Sequence, residues 1–289
     1  MKTLRSIGTE TQTCAVIGNP VAHSLSPLMH NAAYEKLGLD FVYLAFRVED
    51  LKGALEGMRS LENFRGMSIT IPHKIEAMKY VDQISDTDRA IGSINTVINE
   101  KGKLFGMGTD GPGALKAMVD AGVEINGRNI LILGAGGAAR AIAFTLIQKT
   151  KPRELSVLDI DGMLLRGLIH DLKAGSHVRI KSGLMDHRSL SDSMEVADII
   201  IHCTPVGMHP NEAASLVPVD FFQPEQVVFD IVYTPLKTKL LAEAGSQGLK
   251  VISGVDMFIN QAVLQFEFFT GVDAPVKVMR QVVMEHLSS

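Results

Sequence analysis

Tryptophan is absent from this chain, and cysteine occurs only twice, as Cys14 and Cys203. The two lie in different apolar runs without metal-ligand spacing, which argues against a disulfide framework and suits a reducing compartment. No apolar run approaches the ~18 residues a membrane-crossing helix needs. The N-terminal MKTLRSIGTETQ lacks the apolar core of a secretory leader. A basic excess is missing as well: the formal net charge is −4, so no nucleic-acid partner is expected. Internal repeats and low-complexity segments are not found, and no two of the nine histidines flank a glutamate at helical spacing, so no metal is expected. These absences leave a soluble, cytoplasmic globular protein with small-molecule chemistry, neither membrane-bound nor nucleic-acid-bound.

What is present is a βαβα alternation. With 289 residues, 46% hydrophobic, the chain has enough material for two ordinary domains. Candidate strands fall at 14–18, 41–48, 67–72, 95–100, 103–108, 129–134, 155–159, 178–183, 197–204, 226–232 and 249–253. Amphipathic stretches such as LMHNAAYEKLGL, KIEAMKYVDQI and AARAIAFTLIQKT separate them and predict helices. The pattern predicts an α/β protein with parallel sheets covered by helices on both faces. NEKGK, between two strands, predicts a hairpin turn. Eleven strands exceed one short doubly wound sheet. The chain therefore divides into 1–120 with 255–289, and 121–254, the turn-rich DAGVEINGRN marking the first boundary. The long helical tail after Gly254 is expected to pack on the first domain.

The strongest local signal is NILILGAGGAARAIAFTLI. A buried strand runs into Gly134, Ala135, Gly136, Gly137, Ala138 and Ala139, then directly into a helix: GxGxxA in the context a dinucleotide needs. Gly134 permits the tight turn and Gly136 lets the backbone approach a pyrophosphate. Ala139 lets helix and strand pack closely, and the helix start supplies N–H groups and positive potential. The next strand ends at Asp159, 25 residues beyond Gly134. A carboxylate there can accept from both ribose hydroxyls of NAD and would repel the 2′-phosphate of NADP. NAD is therefore favoured, with NADP as the alternative. Arg166 is the one nearby cation that could reach round to a phosphate, and a plain helix-capping role for Asp159 or Asp161 stands beside the ribose reading.

Other clusters precede this turn. GNPVAHSLSPLMHN places Ser24 and Ser26 before a helical stretch, where Ser26 either caps the helix or joins Ser24 in holding a carboxylate. SITIPHK puts Thr70 and Lys74 at the carboxyl end of a strand, the ligand-binding edge of open α/β sheets. Asn95 lies in GSINTV. Asp110 sits between glycines in GMGTDGPG, either as a turn former or as a site residue. A lysine with a carboxylate suits the oxidation of an alcohol, because the lysine can take or stabilise the hydroxyl proton as the carbonyl forms.

In this order GNPVAHSLSPLMHN, ITIPHK, INTV, TDGPG, GAGGAAR, TPVGMHP, DIVYTPLKTKLL and GVDMFINQA resemble the shikimate dehydrogenase family, most of all its quinate/shikimate branch, over nearly the whole chain. The resemblance implies an N-terminal α/β catalytic domain completed by the C-terminal helices, joined across a cleft to a Rossmann domain. It implies that Ser24 and Ser26 hold the substrate carboxylate and that Thr70, Asn95 and Gln261 hold ring hydroxyls. Lys74 and Asp110 would be the catalytic pair, and Tyr233 a substrate-side residue. Thr204, Val206, Val232, Gly254 and Met257 match positions lining the nicotinamide half of the cofactor site. The activity implied is hydride transfer between NAD(P) and shikimate, quinate or both, by a monomer or homodimer. An NAD preference would suit oxidation for carbon and NADPH biosynthetic reduction.

Three departures from the family pattern stand out: Gly108 before Thr109-Asp110 where asparagine is usual, Ser68-Ile69-Thr70 for Asn-Val-Thr, and Asp159-Ile160-Asp161 for Asn-Arg-Thr. Two other readings are a non-catalytic sensor for quinate or shikimate, and a dehydrogenase for a different substrate, such as another small carboxylated polyol or a methylene-folate. The intact lysine, aspartate and glycine turn weigh against the sensor. The two serines and Gln261 weigh against the folate enzyme.

Overall fold

The computed structural model describes residues 7–174 and 176–288. Part of the leader reading, residues 1–6, lies outside them, as does the last residue of the helical tail. Among the described residues no helix is long and apolar enough to cross a membrane, and no cluster of His, Cys, Asp or Glu could hold a metal. The residues form two compact units. One runs up to Thr109 and resumes at Gln261; the other is Asp110–Asn260. The chain thus divides at 109/110 and 260/261, where the sequence reading puts 120/121 and 254/255.

The first unit carries β1 (Gln12–Gly18), α1 (Ser26–Leu37), β2 (Phe41–Arg47), α2 (Leu51–Ser60), β3 (Phe64–Ile69), β4 (Gln83–Ile84), α3 (Asp86–Ile91), β5 (Thr96–Glu100) and β6 (Lys103–Met107). Its sheet has the order β2-β1-β3-β5-β6-β4. The parallel expectation holds for β2-β1-β3 but not for β5, which runs antiparallel to both neighbours. The reason is the predicted hairpin: Lys101 and Gly102 have φ of 52° and 83°, the left-handed pair that reverses a chain in two residues.

One expected helix is absent. KIEAMKYVDQI forms only a short 3-10 turn at Glu76–Lys79 and then β4. Asp82 explains it: its N–H donates to Leu104 O (2.8 Å), its carboxylate accepts from Leu104 N (2.7 Å), and Arg59 pairs with it (2.5 Å). These bonds draw residues 82–84 alongside β6, and tertiary pairing overrides the helical period.

The second unit carries α4 (Asp110–Asp120), β7 (Asn129–Leu133), α5 (Gly137–Lys149), β8 (Glu154–Asp159), α6 (Gly162–Ala174), β9 (Arg179–Leu184), α7 (His187–Val196), β10 (Ile199–His202), β11 (Val227–Asp230), α8 (Lys239–Ser246) and β12 (Lys250–Ser253). Its sheet is wholly parallel in the order β12-β11-β10-β7-β8-β9, the doubly wound dinucleotide-binding arrangement. Leu131, Leu133, Ile200 and Val228 are buried in its core, as continuous apolar parallel strands require.

The tail forms α9 (Gly254–Thr270) and α10 (Val276–Leu287). The chain passes between units inside α9, and from Gln261 onward it belongs to the first. There α10 packs on α1, and Phe269 lies so close over β3 that a Cβ at Gly66 would come within 2.3 Å of its ring.

Candidate active site

In the first unit several chain segments converge on one sheet edge. β1 and β3 are parallel and end at Gly18 and Ile69; β5 begins and β6 ends at the same edge, where Ser68 pairs with Thr96 and Thr96 with Met107. The sequence therefore delivers residues 18–26, 70–74, 94–95 and 107–109 to one place, the carboxyl ends where such sheets bind ligands. Backbone bonds tie the segments together: Asn19 N to Ile71 O (3.0 Å), Ile69 N to Asn95 O (2.7 Å) and Asn95 N to Met107 O (3.1 Å).

Lys74 is half-buried in the turn after β3. Its carbonyl accepts from Ile94 N (3.0 Å). The preceding His73 is buried, with Nε2 2.8 Å from Val48 O. The backbone carrying the lysine is thus held from both sides. Thr70 lies at the start of the same turn, bonded through its N–H to Ile17 O (3.0 Å).

Ser26 does not cap α1. The cap position is Leu25, with no side-chain hydrogen bond, and Ser24 Oγ instead accepts from Ser26 N (3.3 Å). Burial pushes the Tyr43 phenol well above its ordinary pKa, opposed by hydrogen bonds with Ser68 and Ser26. Ser26 is itself buried, so its hydroxyl faces inward polar neighbours as well as the helix start.

Asn95 and Gln261 are both buried and share Thr109. Asn95 Oδ1 accepts from Thr109 N (2.8 Å) and from Thr96 Oγ1 (3.0 Å), while its Nδ2 donates to Thr109 Oγ1 (3.0 Å). Thr109 Oγ1 lies 3.3 Å from Gln261 Oε1. Gln265, one helical turn beyond Gln261, extends the network: its Nε2 donates to Thr96 Oγ1 (3.0 Å) and Asn95 O (3.3 Å), and its Oε1 accepts from Ser68 Oγ (2.7 Å). Tyr43 Oη donates to Ser68 Oγ (2.6 Å). Sequence reasoning passed over Tyr43, Thr96 and Gln265, although Gln261 and Gln265 at i, i+4 on one helix face were a usable signal. Gly108 has a local explanation: its N–H donates to Asp88 Oδ1 (3.0 Å), and a Cβ there would lie 2.7 Å from the same oxygen.

In the second unit, Asp110 opens α4. Gly134 has φ +109°, and a Cβ there would lie 3.0 Å from Cys203 O and 3.2 Å from Thr204 Cγ2. Glycine is required on both counts. This is the point between β7 and β10 where the strand order reverses, the ligand crevice of such sheets. At Gly136 and Gly137, by contrast, nothing beyond the adjoining backbone lies within 4 Å of where a Cβ would sit. Together with Ala138 they leave an open backbone cradle at the start of α5, which fits a pyrophosphate.

Asp159 is buried and already engaged. Its Oδ2 accepts from Ala135 N (2.5 Å) and its Oδ1 from Asp161 N (2.7 Å). The carboxylate braces the glycine-rich turn, and each oxygen retains a second lone pair for a further donor. Asp161 caps α6, accepting from Met163 N (2.7 Å) and Leu164 N (3.1 Å), while Ile160 between them is 81% exposed. Arg166 folds back on the start of α6, its Nη1 3.2 Å from where a Cβ of Gly162 would be.

Thr204, Val206, Val232 and Gly254 follow the carboxyl ends of β10, β11 and β12, and Met257 is in the first turns of α9. Thr204 Oγ1 is 2.5 Å from His202 Nε2, whose Nδ1 is 2.9 Å from Asp230 Oδ1, a trio with buried histidine and aspartate that sequence reasoning also missed. Tyr233 stacks on Phe258 at 4.8 Å, and burial raises its phenol pKa.

Among known proteins, residues 16–97 match the shikimate dehydrogenase substrate binding domain family and residues 254–284 the shikimate 5'-dehydrogenase C-terminal domain family. A shikimate dehydrogenase (NADP(+)) from Methanopyrus kandleri is 41% identical over 98% of this chain and 98% of its own. A shikimate 5-dehydrogenase from Listeria monocytogenes, solved in complex with shikimate and NAD, is 36% identical, with a TM-score of 0.92 over 98% of this chain and all of its own. A quinate dehydrogenase from Corynebacterium glutamicum in complex with NAD is 28% identical, with a TM-score of 0.87 over 95% of this chain and 99% of its own.

Proposed function

We propose, for a chain that belongs to the shikimate dehydrogenase family and is an oxidoreductase using a nicotinamide cofactor, that it interconverts shikimate with its 3-dehydro ketone, accepts quinate as a second substrate, and prefers NAD to NADP. The observation that carries the substrate reading is the convergence of Ser24, Ser26, Thr70, Lys74 and Asn95 on one sheet edge, with Gln261 joined to Asn95 through Thr109. That set suits a compact, carboxylated polyol.

In this reading Ser24 and Ser26 take the carboxylate, and Thr70, Asn95 and Gln261 take ring hydroxyls. Lys74 receives or stabilises the proton leaving the reacting hydroxyl, and Asp110 orients ammonium and hydroxyl together. Tyr233 borders the substrate. Gly134, Gly136, Gly137 and Ala138 cradle the pyrophosphate, and Thr204, Val206, Val232, Gly254 and Met257 line the nicotinamide side. The nicotinamide, when bound, supplies the hydride acceptor. The NAD preference rests on Asp159 and Asp161, two carboxylates flanking Ile160 with no cation between them. Many relatives are named for NADP(+), the Listeria protein was solved with NAD, and this loop is the part of the chain that bears on the difference.

The test is a set of initial rates at 340 nm with shikimate and quinate, each against NAD and NADP. Faster turnover with NAD supports the electrostatic reading of the loop; turnover with NADP alone refutes it. Lys74→Ala should lower kcat by about 10²–10⁴-fold while leaving NAD affinity intact. An unchanged kcat would remove Lys74 from the chemistry.

A further inference from the structure

We infer that His202 is a positioning residue for the nicotinamide half of the cofactor: anchored on Asp230, it ties together the loops that follow β10 and β11 and fixes the side chain of Thr204 against the glycine-rich turn. The inference rests on the placement proposed above for Thr204, Val206 and Val232 on the nicotinamide side.

His202 and Asp230 are the last residues of two adjacent parallel strands and face each other across the ladder. Both are buried, at the carboxyl edge of the sheet where its ligand crevice lies. A buried carboxylate is costly unless its oxygens find donors. Those of Asp230 find them on three sides: Oδ1 accepts from Val232 N (3.0 Å) and faces His202 Nδ1 at 2.9 Å, and Oδ2 accepts from Thr238 Oγ1 (2.6 Å). Thr238 in turn caps α8, accepting from Leu241 N (3.3 Å). One carboxylate therefore holds the loop after β11 at both Val232 and Thr238.

Its hold on the neighbouring loop runs through the imidazole. A carboxylate only accepts, so His202 brings a proton at Nδ1. In the neutral ring Nε2 is then a lone pair, and the Thr204 hydroxyl, 2.5 Å away, donates to it. The same Thr204 oxygen accepts from Val206 N (3.3 Å). With its hydroxyl turned to His202, Thr204 turns its methyl to the glycine-rich turn, where Cγ2 is 3.2 Å from the position of a Cβ on Gly134. The histidine thus sets the rotamer of Thr204 and the spacing of Thr204, Val206 and Val232, all within the second unit. None of these bonds involves Gly136 or Gly137 in the pyrophosphate cradle. Loss of His202 should therefore be felt by the nicotinamide and not by the rest of the dinucleotide.

ADP-ribose, which is NAD without the nicotinamide, separates the two. His202→Asn keeps a donor for Asp230 and loses the acceptor for Thr204; Thr204→Val keeps the shape and loses the hydroxyl. Calorimetric titration should show NAD binding about five- to tenfold weaker in each, the worth of one buried hydrogen bond, with ADP-ribose binding within about twofold of the parent. The two substitutions combined should bind NAD as Thr204→Val does, because both remove the same bond. Losses that multiply would mean that His202 acts other than through Thr204 and would overturn the inference. So would equal losses for NAD and ADP-ribose, the mark of a general loss of structure, or an unchanged NAD affinity in either single variant. Val206→Phe tests the placement itself and should weaken NAD while sparing ADP-ribose. If it moves both ligands equally, or neither, the nicotinamide lies elsewhere and the inference falls with that placement.

Discussion

Asp159→Asn separates two roles that one carboxylate can fill. In the structure both oxygens accept backbone N–H groups at 2.5 and 2.7 Å, from Ala135 in the glycine-rich turn and from Asp161 before α6. Hydrogen bonds to a charged acceptor contribute about 1.5–3 kcal/mol each. Asparagine is nearly the same size but has one accepting oxygen, so its amide nitrogen must confront one of those N–H groups. The expected loss is about 2–4 kcal/mol, from one missing charge-assisted bond and one weakened. For a unit near 150 residues that lowers the unfolding midpoint by about 6–12 °C. Calorimetry of the ligand-free protein measures it, with NAD affinity taken in parallel by titration. A midpoint unchanged within about 1 °C together with a large loss of NAD affinity would refute the bracing role and leave the carboxylate serving only the ribose.

Two further outcomes follow from buried geometry. Gly254→Ala would put a Cβ 2.3 Å from Ile231 O and 2.5 Å from Val232 O, both backbone, so it should destabilise the second unit by more than about 2 kcal/mol; an unfolding midpoint equal to the parent's would contradict the packing. His30 is buried against Tyr43, its ring nitrogens without hydrogen-bond partners among the described residues, and burial pushes its pKa down from 6.5 to about 3. The unfolded chain therefore binds a proton that the folded one refuses. Stability should be unaffected above pH 6.5 and fall by up to about 1.4 kcal/mol per unit as pH drops from 6.5 toward 3. His30→Phe should flatten this acid limb in denaturant titrations, and parallel curves for parent and variant between pH 5 and 7 would refute it.

The legible parts of the fold were those specified by local pattern. Continuous apolar runs marked the parallel strands of the second unit, and Asn99 to Lys103 marked the hairpin. The 80–84 segment was misread because its amphipathic spacing is real, while its conformation is decided by Arg59 and Leu104, which no window around it contains. Ser26 shows a similar limit. Serine before proline reads as a cap, yet its cap position belongs to Leu25.

The site divides along the same line. Lys74, Asn95 and the glycines announce themselves by residue type at strand ends, but the network around them joins Ser68 to Gln265 across 197 positions. No periodicity links them, and only the approach of α9 to β3 does. Asp159 was legible as a carboxylate at a strand end but not as a brace, because its partner Ala135 N is a backbone group that every residue except proline offers. That bears directly on the cofactor. A carboxylate held by one N–H group of the turn and by that of Asp161 cannot swing away from an incoming 2′-phosphate, so its charge stays where it is set. The discrimination proposed for this loop then follows from the same bonds that hold the turn, and Asp159→Asn should relax both together.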